Sequence, residues 1–503
     1  MRQPMLFLDT GSGWENLTGH EGSQVALDGF TIEWGTDDAT KQPDCNVLKF
    51  QLLDRTGRLA GNSTRLAGAK VLIQLTRMPL WQDLNAVRRW IDEPETTTWA
   101  GFHLEHSPDS TSPMDATALS IFEGNIATGC SIEQREDDGW LLTLNANSRT
   151  VRMGRTTQQG PTTPDYPAGA GKHWNIFTAN RVDEIQKRLA SLDAPQLSSA
   201  AVSWLKSTAI SLAPYDLDSF PDLSTILYRI ASWSSELPLY YERHSHSGTT
   251  LDIIHAGARA SITLHSDGTL TVGDGWRDEK VITGSQIILD TSTLKLADPV
   301  SQVSIKGRKL DWDKSNNQFQ IGDAELDITA GGKLPGNLTE TIRSVSFDTD
   351  AIIVNNAADH WQPSMLAPSQ AQRDQWADWL ATTTMRLRPE KLTVSTEYID
   401  IDEFEQTFQP SATLFAFVSN RYTRLESDDG TPATSGAWLG IGGTFTFKWR
   451  HGKPVMSNEF ELQPLPMTPS TVSKWADTTP IGLPWRSVPF TWGEFSQITY
   501  FKD

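Results

Sequence analysis

At 503 residues the chain is too long for one hydrophobic core, so three or four domains are expected. Hydrophobic residues at 38%, charged residues at 21% and a negative mean hydropathy exclude wholesale disorder, and no window of sequence approaches a membrane span. The net charge of −19, from 43 basic against 62 acidic residues, excludes a protein whose main task is gripping phosphate backbones. Such a surface serves solubility, and it would equally let DNA pass without sticking.

The first strong pattern runs from Asp28 to Gly57. Phe30, Ile32 and Trp34 alternate with polar residues, and after a polar, Pro-containing connection Leu48, Phe50 and Leu52 do the same. A period of two predicts two half-buried strands, closed by turn chemistry at Asp54 and Gly57. Val71 to Leu75, Ile121 to Ile126 and Trp140 to Leu144 add further strands, with Trp140, Leu142 and Leu144 on one face. Residues 1–150 therefore read as a small antiparallel barrel or sandwich, carrying an insertion at about 78–120 rich in Trp, Pro and acidic residues.

Residues 151–285 change character. After a Gly/Pro/Thr linker, Asn180 is the expected N-cap of a helix bearing Val182, Ile185, Leu189 and Leu192. A second helix is expected from about Pro221 with Leu223, Ile226, Leu227 and Ile230 on one face, then a strand from Leu239 to Glu242 and a hairpin back through Leu251 to Ile254. Residues 286–465 are strand-rich again. Asp298 to Ile305, Thr341 to Phe347 and Ala351 to Val354 are expected strands, followed by a helix at about 368–387 carrying Trp376, Trp379 and Leu380. Phe415 to Val418, then Phe445, Phe447 and Trp449, and a return strand through Phe460 predict a closing hairpin turned at His451-Gly452. Residues 466–503 form a Pro/Trp-rich arm. The fold class expected is mainly β with α+β parts, two barrel-like domains flanking a mixed α/β domain.

Chemistry is sparse. His103 and His106, and His244 and His246, lack a third ligand at metal-like spacing and read as solvated histidines. Asp137-Asp138 and Asp428-Asp429 adjoin Gly and read as turns. Leu439 to Gly443, LGIGG, is too strand-like to cradle phosphate, and no hydrolase, metalloprotease or nucleotide fingerprint occurs. The two cysteines, Cys45 and Cys130, have no CxxC spacing; they read as reduced core or strand residues, with a single bridge between them left open. The opening apolar run is too short for a signal segment, which points to maturation in a cytoplasm. No catalytic residue, cofactor or metal is expected. With 19 Trp against 8 Tyr, most tryptophans are expected in cores and contacts, and Trp81, Trp90, Trp99, Trp475, Trp485 and Trp492 are the candidate interaction surface.

Several motifs, taken in order, carry a resemblance. They are Trp34-Gly35, Gln42-Pro43 and a strand ending Leu52-Leu53-Asp54 with Gly57; the Phe122-x-Gly124-x-Ile126 strand; a helix feeding the Leu239 hairpin; and Asp298 to Ile305, with Ser301 where Asn is usual. The last is a helix followed by Arg386-x-Arg388-Pro389-x-x-Leu392-Thr393-Val394. The order resembles the minor tail proteins of long-tailed phages of actinobacteria, tail-tip hub subunits related to the trimeric hubs of contractile-phage baseplates. The resemblance implies a homotrimer with pseudo-sixfold symmetry that closes the tail tube. It also implies contact with the distal tail protein ring, the tape-measure protein and central fibre or spike proteins, and passage of genomic DNA without specific binding. Its place would be the tip of the virion tail, assembled in the host bacterial cytoplasm. A carbohydrate-binding receptor, and a tail-associated wall hydrolase, are the alternatives that the Trp content and the tail setting leave open.

Overall fold

The computed structural model describes residues 2–18, 24–38, 41–77, 118–136, 139–163 and, with short gaps, 171–254, 301–329, 344–360 and 409–464 apart from 419–435. Between these it gives short strand segments only. Most of the 78–120 insertion, the 368–387 helix and the 466–503 arm lie outside the described residues.

The fold is mainly β with α+β parts. Seven strands make the first part: β1 (Arg2–Asp9), β2 (Trp14–Asn16), β3 (Val25–Gly35), β4 (Val47–Asp54), β5 (Lys70–Arg77), β6 (Leu119–Arg135) and β7 (Gly139–Ser148). They pair antiparallel in the order β2-β1-β5-β6-β7-β4-β3. The alternation in sequence becomes an inside face: Phe30, Ile32, Trp34, Leu48, Phe50, Leu52, Leu142 and Leu144 are all buried. Trp140 is only partly so, because it packs at the rim.

Three helices follow, α1 (Thr178–Ser191), α2 (Ser199–Ser207) and α3 (Leu223–Ser234), then the hairpin β8 (Leu239–Ser245) and β9 (Gly248–Ile254). Helix α1 starts two residues before the expected cap. Phe177 is extended there, its N–H donating 2.9 Å to the Asn175 side chain, which places Asn180 inside the first turn. Val182, Ile185 and Leu189 point inward as their spacing predicts. Helix α2 was not legible, because only Ala201 and Leu205 are buried on its nine residues.

The rest of the chain adds β10 (Ile287–Ile288), then β11 (Gln302–Asp313), β12 (Gln318–Thr329) and β13 (Ser344–Asn355), which form their own sheet in the order β12-β11-β13. The two strands expected at 341–354 are one continuous strand. The polar run Asp348 to Asp350 reads as a break, but Asp350 is buried and ion-paired with Arg181 of α1 at 3.1 Å, so the strand runs through it. Ala351 and Ile353 of β13 share one core with the three helices. The chain closes with β14 (Leu392–Ser395), β15 (Thr413–Val418), β16 (Gly436–Arg450) and β17 (Lys453–Pro464).

The described strands repeat one arrangement. The first part contains the antiparallel order β5-β6-β7-β4-β3, and the last part contains β15-β16-β17-β14-β10 with the same senses of pairing. In each, the long strand breaks register once against the strand that follows it, between Ile126 and Cys130 on β6 and between Gly440 and Gly442 on β16. Before the break it pairs with β5 or β15; after it the strand leaves that neighbour. The two units are fused edge to edge, because β3 pairs antiparallel with β16 from Gly29↔Lys448 to Gly35↔Gly442.

Candidate functional site

The stretch that joins the two units is β3, and its geometry explains the glycines around it. Gly35 has φ +72, and a Cβ there would lie 2.1 Å from the Ile441 carbonyl oxygen. Gly443, at φ +152, would place a Cβ 1.9 Å from the Glu459 carbonyl. Only glycine admits this approach of three backbones. The LGIGG run is thus a packing seam within a strand, where its sequence had shown only that it is too strand-like for a phosphate loop. Thr36 N–H continues the ladder to the Ile441 carbonyl at 3.0 Å.

Aromatic rings fill the seam. Phe30 stacks on Phe445 with centroids 6.1 Å apart and tilts on Phe447 at 5.3 Å; Trp34 meets Phe460 edge-on at 5.8 Å. Trp34 Nε1 donates 3.0 Å to the buried Asn458 Oδ1, and Asn458 Nδ2 donates 2.8 Å to the Gln409 carbonyl. Trp449 lies on the expected strand but stays partly exposed, its Nε1 donating 3.2 Å to the Leu27 carbonyl.

Beside this seam lies a second, polar one. Glu242 on β8 is buried, its carboxylate accepting from the Thr150 hydroxyl and, at 3.1 Å, from Asn46 Nδ2. Its carbonyl accepts from the Ser411 hydroxyl at 2.7 Å. Ser148 ties the cluster together, 2.5 Å from the Thr150 hydroxyl and accepting the Asn46 N–H at 3.1 Å. One residue therefore joins the first unit, the hairpin and the segment that leads into β15. Nearby, Gln42 donates to the Ser224 hydroxyl on α3, which also contacts the Tyr240 hydroxyl. The Gln42-Pro43 motif thus serves as the clasp between the first unit and the helical part.

Burial sets the charges here. It pushes the Glu242 carboxyl up, against the hydrogen bonds from Ser148 and Thr150, and pushes the Cys45 thiol up to about 11, helped by Glu242 and Asp44. A thiol at that value is no nucleophile at neutral pH. His244 on the same strand is a correction: it is buried, with Nδ1 3.2 Å from the Thr249 hydroxyl, and burial lowers it to about 4. The sequence around it looked like a turn because the bend follows immediately at Ser245. The crevice between Trp34, Asn46, Thr150, Tyr241, Glu242 and Ser411 has room for about one water, far less than a small-molecule site requires.

Cys45 and Cys130 are both free thiols. Trp81, Trp90, Trp99, Trp475, Trp485 and Trp492, with His103, His106 and His246, lie outside the described residues. Among the described residues no group of three His, Cys, Asp or Glu side chains is placed to hold a metal, and no helix is long and apolar enough to cross a membrane. The seam residues that sequence reasoning missed, Glu242, Asn458 and Ser411, are polar residues in or beside strands that nothing in the sequence distinguishes.

No family model and no curated protein matches the chain. Among solved structures it is similar to the tail protein from Neisseria meningitidis, at 8% identity, covering 92% of this chain and 96% of that one with a TM-score of 0.41. It is also similar to an E. coli type VI secretion component described as resembling T4 bacteriophage tail proteins, at 10% identity over 88% and 75% of the two chains with a TM-score of 0.35. A third is the PdpA-VgrG complex in its lidless form, at 7% identity over 94% and 67% with a TM-score of 0.35.

Proposed function

We propose that the chain is a structural hub subunit of the tail tip of a long-tailed actinobacterial phage, three copies of which close a ring around the path of the DNA. The observation that carries this reading is the β3·β16 seam, which sets two units of one strand order side by side in a continuous sheet. Two such units per chain are what a threefold assembly needs to meet a sixfold tube. The order of hub-family motifs along the sequence supports it independently.

In this reading the ring seals the tail tube beneath the distal tail protein and holds the end of the tape-measure protein. It carries the central fibre or spike, and opens for DNA on host contact. The net charge of −19 keeps the passing DNA from sticking. The chain does no covalent chemistry: the buried acid of the junction serves to hold segments together. Its place is the virion tail tip, reached by assembly in the host cytoplasm.

Light scattering on the purified full chain tests the reading. Three times the monomer mass is expected, at low and at moderate salt. A monomer whose tryptophan fluorescence responds to host cell-wall sugars would replace the hub with a glycan receptor.

A further inference from the structure

The hairpins β6–β7 and β16–β17 end in tips of opposite charge. Lys448 pairs with Gly29, Gly29 with Gln51, Gln51 with Thr143 and Thr143 with Ser131, all antiparallel, so β6 and β16 run in the same direction. Both tips therefore leave the same side of the sheet, about 19 Å apart along it. The β6–β7 tip exposes Glu133, Arg135 and Glu136, and its sequence continues Asp137-Asp138. The β16–β17 tip runs from Lys448 to Lys453, with Lys448, Arg450, His451 and Lys453 all exposed.

The basic tip is held in shape. His451 turns the chain at φ 51. Trp449, on the face that carries Phe445 and Phe447, packs edge-on against Phe447 at 5.4 Å and donates its Nε1–H to the Leu27 carbonyl at 3.2 Å. The strand cations alternate with that face and lie on the other. There Arg450 stands directly opposite Lys453, and Lys448 is two residues back on the same face. Like charges opposite each other in a ladder are destabilising. Glu397 answers one of the three, both of its carboxylate oxygens accepting from Arg450 Nη1, at 2.7 and 2.9 Å. Among the described residues neither lysine has an ion-pair partner, although Asp28 adjoins Gly29 on the neighbouring strand. Lysines on a hairpin ordinarily serve solubility, but on a chain of net charge −19 they subtract from the charge that keeps it dispersed. Self-repelling cations fixed on one face suit a ligand whose negative charges are themselves closely spaced.

From this tip we infer a contact for the phosphodiester backbone of DNA, with Lys448 and Lys453 as the phosphate-binding cations and Arg450 held beside them. The inference rests on the proposed ring for the DNA that reaches the tip, and the ring would present three such tips. The contact reads no sequence, because the two lysines are point charges and the Arg450 guanidinium is engaged by Glu397. It is weak and salt-sensitive, steadying DNA on a surface that otherwise repels it.

The acidic tip argues against an anionic bilayer as the partner. A flat surface would meet both tips at once, and Glu133 and Glu136 would be repelled from it, whereas a line of phosphates meets the basic tip alone. Trp449, tied by its N–H and packed on Phe447, is not free to enter a bilayer.

Fluorescence anisotropy of a labelled mixed-sequence DNA duplex, titrated with the full chain, tests the contact. In about 50 mM salt a dissociation constant of about 10⁻⁵ M is expected, weakening steeply as salt rises. Lys448→Gln with Lys453→Gln is expected to weaken binding at least tenfold and to lower the salt slope by about 2, with far-ultraviolet circular dichroism and the light-scattering mass unchanged. Lys49→Gln with Lys309→Gln, an equal charge change at two exposed lysines elsewhere, is expected to leave affinity within about threefold. A trimer that binds no duplex, or binds it equally without Lys448 and Lys453, overturns the contact and leaves the ring standing. A monomer that binds duplex through those lysines upholds the contact and removes the ring. Binding to phosphatidylglycerol vesicles through the same lysines, with none to duplex, overturns the contact in favour of a membrane surface.

Discussion

Two seams meet at β3 and are made of opposite materials. Toward β16 the contact is backbone ladder, glycine and stacked rings; toward the β8 hairpin it is a buried carboxylate among hydroxyls and an amide. The first is specified by shape, since a single Cβ at Gly35 or Gly443 has nowhere to go. The second is specified by hydrogen-bond partners, and its strength depends on the protonation of Glu242. One seam thus fixes the two units in register by shape, and the other ties the first of them to the β8 hairpin by titratable hydrogen bonds.

Variants that separate the two seams range from severe to subtle. Gly35→Val combines a clash at 2.1 Å with a left-handed backbone that valine does not adopt. A loss of about 3 kcal/mol or more is expected, read as failure to recover folded protein or as a large fall in melting temperature. Arg181→Ala leaves Asp350 buried beside the more distant Arg229 at 3.6 Å, and a loss of about 3 to 5 kcal/mol of unfolding free energy is expected, read from denaturant unfolding. That the helix-to-sheet contact, lying in neither seam, should rival Gly35→Val is a sharp check on how the molecule is held together. Trp34→Phe keeps the ring in the apolar seam but strands the Asn458 oxygen, so about 1 to 3 kcal/mol is expected, well below Gly35→Val.

The smallest effects lie in the polar seam and have opposite signs with pH. Glu242 is raised in the fold, so its contribution is complete below the unfolded value of about 4.3 and is lost as pH rises through the folded one. Glu242→Gln is expected to flatten the decline in stability on the alkaline side. His244 is lowered to about 4, so the stability it contributes above about 6.5 is lost as pH falls toward that value. His244→Asn is expected to flatten the acid side. Melting temperature against pH reads both slopes, and parallel profiles for wild type and Glu242→Gln would sink the titratable account of this seam.

The apolar seam was legible in the sequence and the polar one was not. Phe30, Ile32 and Trp34 declare a strand by alternation, and Phe445 and Phe447 declare its partner, although nothing short of the fold shows that the two pair across some four hundred residues. Glycines at 440, 442 and 443 read only as too strand-like for a phosphate loop, and the backbones they approach come from the fold. Glu242 gives no such signal, because a lone acid in a strand is usually on the solvent face. Asp348 to Asp350 misled in the same way: three polar positions looked like a turn, and the buried Arg181 that lets the strand continue lies on a helix far upstream. The pattern of buried and exposed apolar residues carries local structure; polar residues that join distant segments depend on partners that only the fold supplies.

Images of single purified particles bear most directly on the central claim. Averages viewed down the symmetry axis should show a six-lobed ring with a central opening and lobes alternating in two shapes, one for each of the two units. A three-lobed particle without that alternation, or a field of compact monomers at concentrations where light scattering reports no larger species, would contradict the hub.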